Sequence, residues 1–324
     1  MEDGALRWLA ARLERGAGAP SWDPLSRLWA SAVKLPRPLR IPDGVGVLCV
    51  GGATLGGSGK TPLAIACASR LRATYVAHGY RASIRRARFV SPWDDVETVG
   101  DEALEAASHL GEGRVVVGPS RQDAVDFAAS HADVLVLDGP LQLAPARARL
   151  SLLAVDREAP LGSGVCPPRG DLRAPWSALR AQADLVVSVG DRLAPFDRGP
   201  DGDALEAAVD VDTLDRLRGL RIGLATATAR PDRFLRLLAR RGIEPVEIVR
   251  AADHGRLVLP RVPSLDCWVI PGKCAGSLRG RPDVVPLTYH IDLPQALEVQ
   301  LRVRFVSMIP FKAPALSVGG LIST

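Results

Sequence analysis

Between residues 46 and 190, short apolar runs recur at a spacing that leaves room for a helix between successive pairs. They read "GVLCVGG" (46–52), "ATYVAHGY" (73–80), "RVVVGP" (114–119), "DVLVLDG" (133–139), "LSLLAVD" (150–156) and "DLVVSVG" (184–190). Their hydrophobicity is continuous rather than alternating, which predicts strands covered on both faces, as in a parallel sheet under helices. Stretches such as "TPLAIACASRLR" and "PSRQDAVDFAASH" fill the intervals with helix-like spacing. The pattern predicts a doubly wound, mostly parallel α/β core over residues 42–215.

After about residue 215 the pattern restarts. "RIGLATATARPDRFLRLLARRGIEPVEIV" reads as strand, helix and strand, with the helix from about 230 to 241 stopped by Gly242. "LDCWVIPG" and "DVVPLTYHID" add two strands, and "PQALEVQLRVRF" a closing helix. Residues 216–324 are therefore expected to form a second, smaller α/β domain, with a cleft between the two. Residues 1–41 form a third segment: Leu6, Trp8, Leu9, Leu13, Trp22, Leu25, Leu28, Trp29 and Val33 alternate there with arginines. Such a stretch suits either a helix lying in a membrane interface or one packed on its own domain.

Composition narrows the class. A chain of 324 residues, 47% hydrophobic and 24% charged, has the material for two folded domains. Its net charge of +5 is spread along the chain rather than blocked, and no zinc-finger or aromatic-basic motif accompanies it, so no nucleic-acid partner is expected. The five cysteines (Cys49, Cys67, Cys166, Cys267, Cys274) form no C-x-x-C pair and read as buried, reduced thiols. No apolar run reaches the ~20 residues of a spanning helix, and no signal-peptide pattern opens the chain.

The chemistry is concentrated in "VGGATLGGSGKTP" (50–62), which follows a buried strand and opens a helix. That context makes it a phosphate-binding loop of the P-loop NTPase type, in which bare amides face phosphate oxygens. Thr54, Gly56, Gly57, Ser58, Gly59, Lys60 and Thr61 are the expected nucleotide contacts; Lys60 reaches the β/γ-phosphates and Thr61 holds Mg²⁺. Thr54 stands where the general motif has glycine. Only four of the 41 basic residues are lysine, so a chain that otherwise writes arginine has kept lysine in the loop. Asp138, ending "DVLVLD", stands where a metal-side carboxylate belongs. Asp101 and Glu102 open a predicted helix, where acids serve either as caps or as functional groups. Arg121 and Arg173 are candidates for gripping substrate or ATP phosphate.

The order of these motifs resembles the tetraacyldisaccharide 4'-kinases over about residues 20 to 280. "GGATLGGSGKTP" is similar to the family's G-N-x-T-V-G-G-T-G-K-T-P, including the threonine in place of glycine. "HGYR" (78–81), "VGDEA" (99–103), "VVVGPSRQDA" (115–124), "DVLVLDGPLQL" (133–143), "GDLRAP" (170–175), "RPDRF" (230–234) and "ADH" (252–254) follow in the family's order. The resemblance implies ATP-dependent phosphorylation of the 4' position of the lipid A precursor, with ATP and Mg²⁺ bound. Asp101 would be the base, His254 its supporting partner, and Lys60 the phosphate-binding lysine. Thr61, Asp138 and Glu102 would hold the metal, and Arg121, Gln142 and Arg173 the acceptor. It further implies a monomer attached peripherally to the cytoplasmic face of the inner membrane through its N-terminal segment.

Departures stand beside these matches. Gly139 replaces the second aspartate of the family's D-D-G, Pro140 its glycine and Leu143 its histidine; His78 replaces an arginine, and "PGKC" around Lys273 replaces T-E-K-D. Three readings follow: a working kinase, a nucleotide-binding pseudoenzyme of the same family, or a P-loop phosphotransferase with another acceptor.

Overall fold

A computed structural model describes residues 23–308, except 34, 78, 80–81, 229 and 252–254. His254, His78 and residues 1–22 of the amphipathic segment thus lie outside the described residues.

Each apolar run in the first half became a strand. Together with four further strands they are, in chain order, β1 (Pro36–Pro38), β2 (Gly46–Gly52), β3 (Thr74–Val76), β4 (Arg88–Phe89), β5 (Val115–Val117), β6 (Val134–Asp138), β7 (Gln142–Ala144), β8 (Leu150–Asp156), β9 (Leu185–Asp191) and β10 (Leu205–Val211). No apolar run predicted β1, β4, β7 or β10. The later strands are β11 (Ile222–Thr226), β12 (Glu247–Arg250), β13 (Cys267–Pro271), β14 (Val284–Leu287) and β15 (Tyr289–Asp292). The helices are α1 (Asp23–Ala32), α2 (Lys60–Leu71), α3 (Val96–Val99), α4 (Asp101–Leu110), α5 (Arg121–Ala129), α6 (Trp176–Ala181), α7 (Asp232–Ala239) and α8 (Gln295–Phe305).

A nine-stranded sheet has the order β15-β10-β9-β8-β2-β6-β3-β5-β4. Only its outermost pairs, β10/β15 and β4/β5, are antiparallel. Alternation along the strands sorts the core into two layers. Leu48, Val50, Leu152 and Ala154 face one side, where α2, α4 and α8 supply Leu63, Ala107 and Phe305. Val47, Cys49, Leu153 and Val155 face the other, under α5 and α6. The doubly wound core is as expected, with the chain crossing from β2 over β6 to β3 on one side and later returning to β8 on the other. The reversal of winding at β2 opens a crevice beyond its carboxyl end.

A second, four-stranded parallel sheet, β12-β11-β13-β14, forms the smaller lobe, with α7 on one face. The end of the chain differs from the expectation that everything after 215 belongs to this lobe. β15 pairs with β10 in the large sheet, and Leu297, Leu301 and Phe305 of α8 are buried in the core there. The smaller lobe is an insertion between β10 and β15. The reason is register: β15 satisfies its backbone along Ala208–Val211, a free edge that residues before 215 alone would leave open.

All five cysteines are buried and unpaired, as expected. α1 packs Ala30 and Val33 against the core, yet exposes Leu25 and Leu28. It is tied down by Trp29 Nε1, which donates to the Arg173 carbonyl at 3.1 Å.

Candidate active site

The glycine loop leaves β2 and enters α2 through Gly59, whose φ of 80° lies in the left-handed region. A side chain there would be strained and would press on Val189 at 2.6 Å. Within the loop, the Thr54 hydroxyl donates to the Gly56 carbonyl at 2.6 Å, and Thr54 itself bridges to Leu172. The threonine thus ties the start of the loop to the neighbouring segment, using a hydroxyl that glycine lacks. Arg173 supports the same loop from below, donating to the Gly52 and Thr54 carbonyls.

Four of the expected residues converge at the carboxyl edge of β2 and β6. Lys60 Nζ lies 3.0 Å from Thr61 Oγ1, 3.2 Å from Glu102 Oε1 and 3.4 Å from Asp138 Oδ1. Thr61 Oγ1 donates to Asp138 Oδ2 at 2.6 Å. A residue that sequence reasoning missed, Tyr75 in the middle of β3, donates to the same oxygen at 2.7 Å. Nothing in the string "ATYVAHGY" distinguishes a core tyrosine from one that holds a carboxylate.

Burial opposes the charge on Asp138, but Lys60, the hydroxyls of Thr61 and Tyr75, and Arg121 outweigh it and hold the carboxyl below its usual range. Burial likewise opposes the charge on Lys60, while Asp138 and Glu102 more than restore it, so the ammonium persists at neutral pH. Asp138 Oδ1 is a buried oxygen with no hydrogen-bond partner among the described residues. That oxygen meets the Lys60 ammonium at 3.4 Å but accepts no hydrogen bond, and with the Thr61 hydroxyl and the Glu102 carboxylate it makes a set of hard oxygen donors that fits Mg²⁺.

The remaining expected residues divide. Arg121 donates to the Asp138 backbone carbonyl at 2.7 Å and so reaches the site's floor. Gln142 is buried, and its side-chain oxygen accepts from the Leu143 and Ala148 amides, which commits it to its own turn. Asp101 opens α4 and accepts from the Glu102 amide at 2.9 Å. It faces an adjoining cavity of about 260 Å³ rather than the main cleft, sharing that cavity with Glu105, Gly272 and Lys273.

The main cleft, of about 290 Å³, runs between the lobes. Gly56, Gly57, Ser58, Gly59, Lys60 and Thr61 line it, together with the apolar side chains of Val189, Val209, Val211, Phe234 and Leu237. Two arginines of the smaller lobe bind the loop directly. Arg233 donates to the Gly57 carbonyl at 2.6 Å and pairs with buried Asp156. Arg230 lies across Gly57 and pairs with buried Asp171 at 2.6 Å. A cleft lined by loop amides, a lysine and apolar side chains suits a nucleoside triphosphate.

The departures are absorbed structurally. Gly139 has φ 106°, a conformation glycine adopts freely and aspartate does not. Leu143 is buried in the core under α5.

Residues 23–265 match a protein family described as tetraacyldisaccharide-1-P 4'-kinase. The tetraacyldisaccharide 4'-kinase of Anaeromyxobacter dehalogenans strain 2CP-C is 32% identical, over 75% of this chain and 73% of that one. That of Rhizobium etli is 29% identical over 81% and 78%. Among solved structures, LpxK from Aquifex aeolicus in complex with ATP aligns with a TM-score of 0.68, covering 90% of this chain and 99% of that one at 20% identity.

Proposed function

Because the chain belongs to the tetraacyldisaccharide-1-P 4'-kinase family, we propose that the convergence of Lys60, Thr61, Glu102 and Asp138 is its phosphoryl-transfer centre. The protein is an ATP-dependent kinase that phosphorylates the 4' hydroxyl of the lipid A precursor. The observation that carries the assignment of the centre is the single cluster in which the loop lysine touches both carboxylates and the hydroxyl.

In this reading the loop amides and Lys60 hold the ATP phosphates, and the apolar side chains around Phe234 take the base. Thr61, Asp138 and Glu102 would hold Mg²⁺, which would supply positive charge against the phosphate oxygens while Lys60 and the loop amides keep the phosphates in place. Tyr75 fixes the Asp138 rotamer through its hydroxyl. Asp101 takes the proton of the 4' hydroxyl as its oxygen bonds to the γ-phosphorus. Its place at the head of α4, beside the cleft rather than in it, supports an acceptor approaching from the adjoining cavity. Arg121 and Arg173 act by stiffening the floor of the site and the loop, and Gln142 by holding its turn.

The exposed Leu25 and Leu28 of α1 support peripheral attachment to the membrane that holds the acylated substrate, on its cytoplasmic side where ATP is available. No helix among the described residues is long and apolar enough to cross a membrane.

The test is transfer of labelled γ-phosphate from ATP–Mg²⁺ to tetraacyldisaccharide 1-phosphate in detergent micelles, wild type beside Asp101→Ala. Transfer by the wild type that falls about 10²–10⁴-fold in the variant supports the assignment of the base. Undiminished transfer by the variant removes Asp101 from that role, and no transfer by a wild type that binds ATP favours the pseudoenzyme.

A further inference from the structure

The chain contains four lysines among 41 basic residues. Two of them, Lys34 and Lys312, lie outside the described residues, and the other two, Lys60 and Lys273, line the same cleft from opposite lobes. Elsewhere the described cationic side chains are arginines, many in fixed forks, such as Arg192 with Asp210 or Arg281 with Asp283. An ammonium differs from a guanidinium in being a compact charge with rotatable donors, suited to follow one phosphoryl oxygen as it moves.

Lys273 sits just past the carboxyl end of β13, in the helical turn Gly272–Leu278 that packs on α4. Gly272 lies close to α4: a Cβ there would stand 3.2 Å from Glu105 Oε1. Lys273 lines both the nucleotide cleft and the neighbouring cavity that contains Asp101. It is therefore in the wall shared by the nucleotide cleft and the cavity of the base. Its charge also acts on Glu105, one helical turn beyond Asp101, which meets the Tyr289 hydroxyl at 3.3 Å.

We propose that Lys273 is a second phosphate-binding cation, carried by the smaller lobe, which contacts the γ-phosphoryl group during transfer and is aimed by Glu105. This rests on the kinase reading above. Lys60 belongs to the loop itself, whereas Lys273 reaches the same cleft from the smaller lobe, which Arg233 ties to the Gly57 carbonyl. Charge building on the transferring oxygens is met from both sides, and the lysine keeps its proton throughout.

The test compares wild type, Lys273→Met and the double variant Lys273→Met/Glu105→Gln. Calorimetry gives the affinity for ADP–Mg²⁺ and for a non-hydrolysable ATP analogue with Mg²⁺, and single-turnover assays give transfer to the micellar acceptor. Lys273→Met is expected to bind ADP within twofold of wild type, to bind the analogue about tenfold more weakly, and to transfer about 10²-fold more slowly. The double variant is expected to stay as slow as the single. Equal weakening of ADP and analogue, or an unchanged analogue affinity, overturns the proposal. So does recovery of transfer in the double variant, which would make the lysine a counter-charge for Glu105 only. A wild type that transfers nothing defeats the kinase reading instead, and the ADP-to-analogue comparison still decides the role of Lys273.

Discussion

Replacing Gly139 with aspartate restores the family's D-D-G and would, on sequence logic alone, improve the metal site. The backbone argues the reverse. Gly139 has φ 106° while its amide donates to the Val50 carbonyl at 2.9 Å, so it cannot relax without pulling β6 away from β2 beside Asp138. A side chain held in so sparsely populated a region costs about 1–3 kcal/mol. Unfolding entropy of about 2 cal/mol/K per residue over a chain of this length converts that to a fall in Tm of about 1.5–4.5 °C. Gly139→Ala is expected to show the same fall, since the cost lies in the backbone and not in the charge. Scanning calorimetry of both variants, with phosphoryl transfer measured in parallel, checks this. A Gly139→Asp variant as stable as wild type and faster in transfer would refute the reasoning, because it would mean that the glycine marks a lost ligand rather than a required conformation.

Tyr75→Phe removes one of the two hydroxyl donors to Asp138 Oδ2 without opening a cavity. The carboxylate is then less firmly held, and the Mg²⁺ concentration for half-maximal activity should rise about tenfold with little change in Tm; an unchanged Mg²⁺ requirement would count against the role given to Tyr75. Glu105 is pushed up to about 7, first by burial and then by Asp101 and Glu102, against the pull of Lys273 and the Tyr289 hydroxyl. A carboxyl raised on folding makes the native state bind the extra proton, so its contribution is full below the ordinary glutamate range near pH 4.5 and is lost as pH rises through about 7. Wild-type stability should therefore fall by up to about 3 kcal/mol across that window, and Glu105→Gln should flatten the slope; parallel pH profiles for the two proteins would contradict it.

Much of the site was legible because its signals are local. "GGATLGGSGKTP" reads as a phosphate loop from spacing alone, and the aspartate ending "DVLVLD" falls at the edge where a parallel sheet presents its site. The doubly wound core was legible for the same reason, since strands covered on both faces are written as unbroken apolar runs. Tyr75, Glu105 and Lys273 were not legible as site residues. A buried tyrosine in a strand, an acid on an amphipathic helix and a lysine after a strand are each ordinary in their own neighbourhoods. Their meaning comes from partners at separations of 63 residues for Tyr75 with Asp138 and 184 for Glu105 with Tyr289.

The sequence by itself determined the central strands and their helices, the loop and the first carboxylate, because hydrophobic period and glycine spacing act over a few residues. Only the tertiary structure decided that β15 and α8 return to the large sheet, that Gly139 is demanded by its backbone, and that two lysines 213 positions apart in the chain face one cleft. Those outcomes depend on which edges pair and which lobes meet, and pairing is a property of the folded chain rather than of any window along it.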